Sequence, residues 1–229
     1  MRLDKFLGNS GVGSRKDIKS IVRAGVVTVN GEVARKSDMQ INENADTVCV
    51  NGEPVIYKEF IYLMLNKPAG YISATEDFKY PTVIDLVPEE YSHFDLFPVG
   101  RLDIDTEGLL ILTNDGAYAH NMLSPKKHVY KTYYAKLDIP ATEDDIKRFA
   151  EGITIDGGYT CKEAELTLLD DEEPSALVKI CEGNFHQVKL LFKAVGKTVK
   201  YLKRIKFGEF DLPDDLPLGE MIEVEPTIK

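Results

Sequence analysis

Cysteine is scarce in this 229-residue sequence: Cys49, Cys161 and Cys181 are far apart and none sits in a C-x-x-C pair. A disulfide framework and a structural zinc site of the usual spacing are thereby excluded as readings. Long apolar runs are missing too. Nothing approaches the roughly 18 apolar residues that a membrane helix needs, and the opening MRLDKFLGNSG lacks a signal-peptide core. A reducing, cytoplasmic setting without membrane contact is expected. Basic charge is also in deficit, with 28 Lys and Arg against 38 Asp and Glu and a net charge of −10. Taken alone, that balance argues against a polyanionic partner. What is present, 43% hydrophobic and 29% charged residues, describes a globular chain able to bury its own core as one large or two small domains.

The charge is unevenly spread. Residues 1–40 hold eight basic and four acidic side chains, so this segment is +4 and the remainder −14. Within it, Leu3, Phe6 and Leu7 have helical spacing, and Gly8 to Gly13 make a flexible break. Ser14 followed by Asp17 reads as a helix cap, with Ile18, Ile21 and Val22 as an apolar face and Gly25 as the stop. The alternating VVTVNGEVA then turns at Asn30-Gly31, a strong hairpin signal, and V-x-V-N-G-E recurs at 48–53.

From Ile61 the texture becomes mixed. YLMLN, DLFPVG, LLILT and LVKIC read as strands, while Thr142 to Gly152 and Phe185 to Gly196 read as helices. The boundary between the halves is expected near Tyr57–Phe60. Two motif imitations fail on spacing. The glycines of Gly8 to Arg15 lack the G-K-[ST] ending of a phosphate loop, and Asp103 to Gly108 has Asn114 where a calcium loop needs glutamate.

The informative stretch runs from Val99 to Gly116: a strand, a charged loop and a buried strand, which holds a short loop rigidly. By themselves Arg101, Asp103 and Asp105 could equally be a surface ion-pair turn. Here G-R-L-D-x-D-T-x-G-L-L resembles the signature of the pseudouridine synthases that modify ribosomal RNA, in the branch that includes the small-subunit enzyme. Other blocks of that family follow in order: LNKPAGYIS (65–73), HVYKTYYAKL (128–137) and EGNFHQVKLLFKAVG (182–196). The N-terminal residues are similar to an S4-type RNA-binding module.

The resemblance implies an α+β protein. A small S4-like RNA-binding domain (1–58) precedes a pseudouridine synthase domain (60–229) built on a mixed, mainly antiparallel sheet with flanking helices. It implies isomerisation of one uridine in 16S (small-subunit) ribosomal RNA without cofactor or metal. The alternatives are a 23S target or a non-catalytic RNA-binding assembly factor. The essential aspartate of the family falls on Asp103, where a carboxylate can attack covalently or stabilise charge at the sugar. Arg101 would fill the space left by a flipped base and Tyr133 would pack on the uracil, although a core strand tyrosine is the plain alternative. Lys189, near a helix N-terminus, would pair with Asp103. Lys67, His186 and Gln187 are the further expected substrate contacts. Arg2, Lys5, Ser14, Arg15, Lys16 and Arg23 are the expected RNA contacts of the first domain, mainly to phosphates. Two acid-free basic stretches, 116–137 with four lysines and 185–206 with seven Lys and Arg, read as a surface that tracks phosphates. The expected substrate is ribosomal RNA within a small-subunit assembly intermediate, and the expected state is a monomer.

Overall fold

The computed structural model describes residues 1–155 and 157–227. The chain forms two compact units, one of Met1–Ile61 with Val87–Asp95, the other of Tyr62–Leu86 with the chain from Leu96 onward. The division after Ile61 lies next to the expected linker, and residues 87–95 return to the first unit. There the His93 ring packs on Gly11, so that a Cβ at Gly11 would stand 2.7 Å from it.

In the first unit, helices α1 (Leu3–Asn9) and α2 (Arg15–Arg23) precede strands β1 (Val27–Val29), β2 (Glu32–Val33), β3 (Val48–Val50) and β4 (Glu53–Pro54). The strands form an antiparallel sheet in the order β2-β1-β3-β4, each hairpin turning at an Asn-Gly pair with positive φ. Ser14 caps α2 in a complete capping box with Asp17. Leu3, Phe6, Leu7, Ile18 and Val22 form the helical side of the core, as their spacing predicts.

The second unit contains β5 (Tyr62–Lys67), β6 (Phe97–Pro98), β7 (Glu107–Thr113), α3 (Gly116–Leu123), β8 (Lys131–Leu137), α4 (Glu143–Glu151) and β9 (Glu165–Leu168). It ends with β10 (Ser175–Ile180), α5 (Gln187–Ala194), β11 (Val199–Phe207), β12 (Phe210–Asp211) and β13 (Met221–Glu223). Among the described residues these make a nine-stranded sheet whose main path is β13-β5-β7-β11-β8-β10-β9, with β12 on β11 and β6 on β7. The β7–β11 pair is parallel and its neighbours are antiparallel, so the sheet is mixed and mainly antiparallel. DLFPVG is a strand only at Phe97–Pro98; Val99 N–H still donates to the Ile111 carbonyl at 2.7 Å, and Gly100 follows with a φ of +81°.

The parallel β7–β11 contact puts the aspartate loop, at the entry of β7, over the middle of the sheet. It depends on Gly108, whose φ is +100° and whose missing Cβ would lie 2.2 Å from the Arg204 carbonyl oxygen and 2.8 Å from its nitrogen. Gly108→Ala therefore combines backbone strain with a backbone clash. It is expected to cost about 3 kcal/mol or more in urea unfolding; a loss under about 1 kcal/mol would show that the strands can separate freely.

Candidate active site

The loop between β6 and β7 is held by backbone bonds on several sides. The Ser73 hydroxyl accepts from the Leu102 N–H at 3.0 Å, Gly70 N–H donates to the Ile104 carbonyl at 2.7 Å, and Thr106 N–H donates to the Asp103 carbonyl at 3.0 Å. Lys67, at the end of β5, is fully buried, and its ammonium donates to the carbonyls of Pro68 (3.0 Å), Asp103 (3.2 Å) and Thr106 (2.9 Å). The expectation that Lys67 touches substrate is therefore corrected: its donors are taken up inside the protein, and it fixes the loop. The K-P-x-G block is a cradle for the aspartate.

With the backbone so held, the Asp103 carboxylate faces α5. Lys189 Nζ lies 3.1 Å from Asp103 Oδ2 and 2.6 Å from Asp105 Oδ1, and His186 Nε2 lies 3.4 Å from Asp103 Oδ1. Burial pushes the Lys189 ammonium down, but its hydrogen bonds to Asp105 and Asp103 outweigh that and hold its pKa above the ordinary lysine value. For Asp105, burial acts upward, and the bond from Lys189 outweighs it, leaving the carboxyl below its usual range. The two aspartates differ in exposure: 23% of the Asp103 side chain is accessible against 65% for Asp105.

His186 precedes α5 in the left-handed conformation (φ +52°) and stacks on Phe185, ring centres 3.7 Å apart. Gln187 is buried, its amide donating to Glu182 at 3.0 Å and accepting from the Asn184 N–H at 3.1 Å. Its expected role as a substrate contact is likewise corrected: it closes the loop that carries His186 to Asp103.

Asp103, Tyr133, His186 and Arg101 line a hollow of about 60 Å³. Arg101, Tyr133, Gly183 and Asn184 also line an adjoining cavity of about 500 Å³. Tyr133 is buried on β8, whose residues Lys131, Tyr133, Ala135 and Leu137 all face inward. The strand thus alternates strictly, although Lys131 among the inward positions hides this in the sequence. Tyr134 is on the other face and donates to Asp171 at 3.0 Å.

The two basic stretches are not the continuous phosphate-facing surface that counting charges predicts. Lys197 is buried against Asp145 at 2.6 Å, Arg204 is 1% exposed, and Lys206 pairs with Asp211 at 2.7 Å. Lys131 is buried and Lys136 pairs with Glu173. In the first unit Arg2, Lys5 and Arg15 line a hollow of about 340 Å³ together with Lys19, which sequence reasoning passed over although it sits one turn beyond Arg15. Arg2 is also held by Asp4 at 2.6 Å. Lys16 and Arg23 are exposed but do not line it. Ser14 is not an open RNA contact, since its hydroxyl is engaged with Asp17 in the cap.

A carboxylate within reach of a lysine and a histidine, beside a buried tyrosine and at the edge of a hollow, is a site equipped for enzymatic chemistry. The chain belongs to the RNA pseudouridylate synthase family, whose model matches residues 61–194; the S4 domain model matches residues 1–47. It is a pseudouridine synthase, an isomerase, with an S4 domain that binds RNA. Over 226 residues it is 48% identical to an uncharacterized RNA pseudouridine synthase of Bacillus subtilis, YtzG, covering 98% of this chain and 95% of that protein. It is 37% identical to ribosomal small subunit pseudouridine synthase A of Escherichia coli K12, covering 96% and 94%. A crystal structure of a pseudouridylate synthase superposes with a TM-score of 0.68 at 35% identity, covering 98% and 96%.

The buried lysines make the unit sensitive to alkaline pH. Burial pushes Lys67 down from 10.5 to about 8, against the pull of Asp105, Glu107 and Asp103. An unfolded lysine keeps its ordinary value, so between about pH 8 and 10.4 the unfolded chain binds more protons, and the Lys67 contribution to stability rises with pH. Urea unfolding at pH 8.0, 8.75 and 9.5, taken as roughly spaced points in that window, is expected to show wild type gaining on Lys67→Met as pH rises. A constant difference between the two proteins would reject the buried ammonium.

Proposed function

We propose that this enzyme converts one specific uridine of 16S (small-subunit) ribosomal RNA to pseudouridine, with Asp103 as the catalytic carboxylate. The observation that carries the reading is Asp103 held 3.1 Å from the Lys189 ammonium at the edge of a hollow shared with Tyr133. The relative in Escherichia coli, named for the small subunit and matched almost end to end, supports the target.

The uridine is flipped out of the RNA at a cost of a few kcal/mol, with Arg101 bracing the vacated position and Tyr133 packing on the uracil. As the N1–C1′ bond breaks, positive charge grows at the sugar, and the Asp103 carboxylate stabilises it or bonds to it. The uracil turns, C5 joins C1′, the C5 proton is lost and N1 gains one. Lys189 holds one Asp103 carboxylate oxygen at 3.1 Å, and His186 faces the other at 3.4 Å. Residues 1–58 act as the RNA-binding domain and residues 60–229 as the catalytic domain. The enzyme acts as a cytoplasmic monomer on a small-subunit assembly intermediate.

Carbodiimide mapping of ribosomal RNA from a deletion strain tests both activity and target. Loss of one small-subunit pseudouridine is expected, whereas loss in the large subunit would reassign the target. Asp103→Asn is expected to lower turnover by at least about 10³-fold with RNA affinity largely kept, and Asp105→Asn to act far more mildly. Wild-type turnover in Asp103→Asn would refute the mechanism. For the first unit, Lys5→Gln with Arg15→Gln should lower the salt-dependence slope of RNA binding by about 1 to 2 while leaving single-turnover chemistry unchanged. An unaltered slope would remove these residues from the RNA contact.

A further inference from the structure

The 500 Å³ cavity beside the Asp103 hollow contains two buried cations that the proposed chemistry leaves unused. Arg204 is 1% exposed; its Nε donates to the Leu109 carbonyl at 2.7 Å, its Cζ lies 4.7 Å from the Phe207 ring centre, and its buried Nη2 has no hydrogen-bond partner among the described residues. Lys131 is 8% exposed and donates to the carbonyls of Val129 and Glu182 at 3.2 and 3.3 Å, long bonds that leave one ammonium proton over. Lys131 and Tyr133 face inward on β8, and Arg204 pairs with Tyr133 across the sheet, so the three occupy one wall.

Among the described residues no carboxylate forms an ion pair with either cation. Glu182 is the one acid among the described lining residues, and its oxygens accept from Tyr159, the Lys162 N–H and Gln187 rather than from Lys131 or Arg204. Exposed Arg101 and Lys162 at the edge add further positive charge. Two like charges out of water beside an unfilled donor cost free energy unless an anion joins them. Burial, followed by repulsion from Arg204, pushes Lys131 down to about 8, against an upward pull from Cys181, and a bound anion would relieve both.

We propose that Lys131 and Arg204 form a binding site for one phosphodiester of the substrate RNA, next to the flipped uridine. A uracil edge is a poorer match, because it presents an N–H donor as well as carbonyls, and Lys131 and Arg204 offer donors only. A phosphate takes several charge-assisted bonds from such a pair. The site deepens the proposed function and rests on RNA lying across the Asp103 hollow. It would make the distance from one backbone phosphate to the Asp103 carboxylate part of how the uridine is placed.

The test uses a synthetic fragment of small-subunit ribosomal RNA that the wild-type protein binds. Its phosphates are replaced one at a time by neutral methylphosphonates, and affinity is measured by titration. One position is expected to weaken wild-type binding by about tenfold, and that penalty is expected to disappear in Lys131→Met. A scan in which no position stands out, or one whose penalties are the same in wild type and Lys131→Met, overturns the site. Should Lys131→Met fail to fold, the wild-type scan alone decides, because a uniform scan refutes the proposal and a single sensitive phosphate supports it. Affinity is read without turnover. Wild-type protein that shows the sensitive phosphate yet leaves every uridine unmodified would refute the proposed reaction and leave the phosphate site standing.

Discussion

The buried Lys67 ammonium is the contact on which the rest of the second unit depends. A fully buried ammonium is costly, and here three carbonyls accept its hydrogen bonds, two of them from Asp103 and Thr106 at the two ends of one turn. Because both ends converge on one nitrogen, the turn cannot shift along β7 without uncovering the charge. The last residue of β5 thus fixes the backbone of the aspartate loop, and Ser73 and Gly70 extend the hold to Leu102 and Ile104. The position of Asp103 is a property of two strands and the chain that follows the first of them.

With the backbone fixed from one side, the carboxylate can be governed from the other. Lys189 reaches both Asp103 and Asp105, and its shorter contact is to Asp105. Distance alone would favour Asp105 as the reactive group. Exposure supports the proposed choice of Asp103 instead, since a carboxylate that is 65% accessible is screened by water, whereas Asp103 lines the hollow with Tyr133. Asp105 then works as a second anchor that keeps the lysine in place. His186, left-handed and stacked on Phe185, closes the arrangement from the start of α5.

Local chemistry made much of this legible. The Ser14 cap, both Asn-Gly hairpins, the Thr142 helix and the R-L-D loop depend on neighbours in the chain, and each stands where spacing puts it. Tertiary roles were not legible. Lys67 and Gln187 look like exposed polar residues in a motif, yet both are buried for structural work, because their partners are 36 to 39 residues away in one case and in a folded loop in the other. Strand β11 was hidden by its own lysines. Only the parallel pairing with β7 and the antiparallel pairing with β8 turn Arg204 inward.

This bears on the meaning of the net charge of −10. Splitting the total along the chain gives a basic first segment and two acid-free stretches, which is already better than the sum. Yet several of those cations never face solvent or are neutralised by a partner: Lys131 and Arg204 are buried, and Lys197, Lys206 and Lys136 are paired. The field at a cleft depends on where charges lie and on what surrounds them, and low-dielectric walls strengthen the effect of a few unpaired cations. An acidic protein can therefore attract RNA locally while repelling it elsewhere. In the proposed reading, a weak non-specific affinity leaves recognition to the small basic hollow of the first unit and to the cavity wall formed by Lys131 and Arg204.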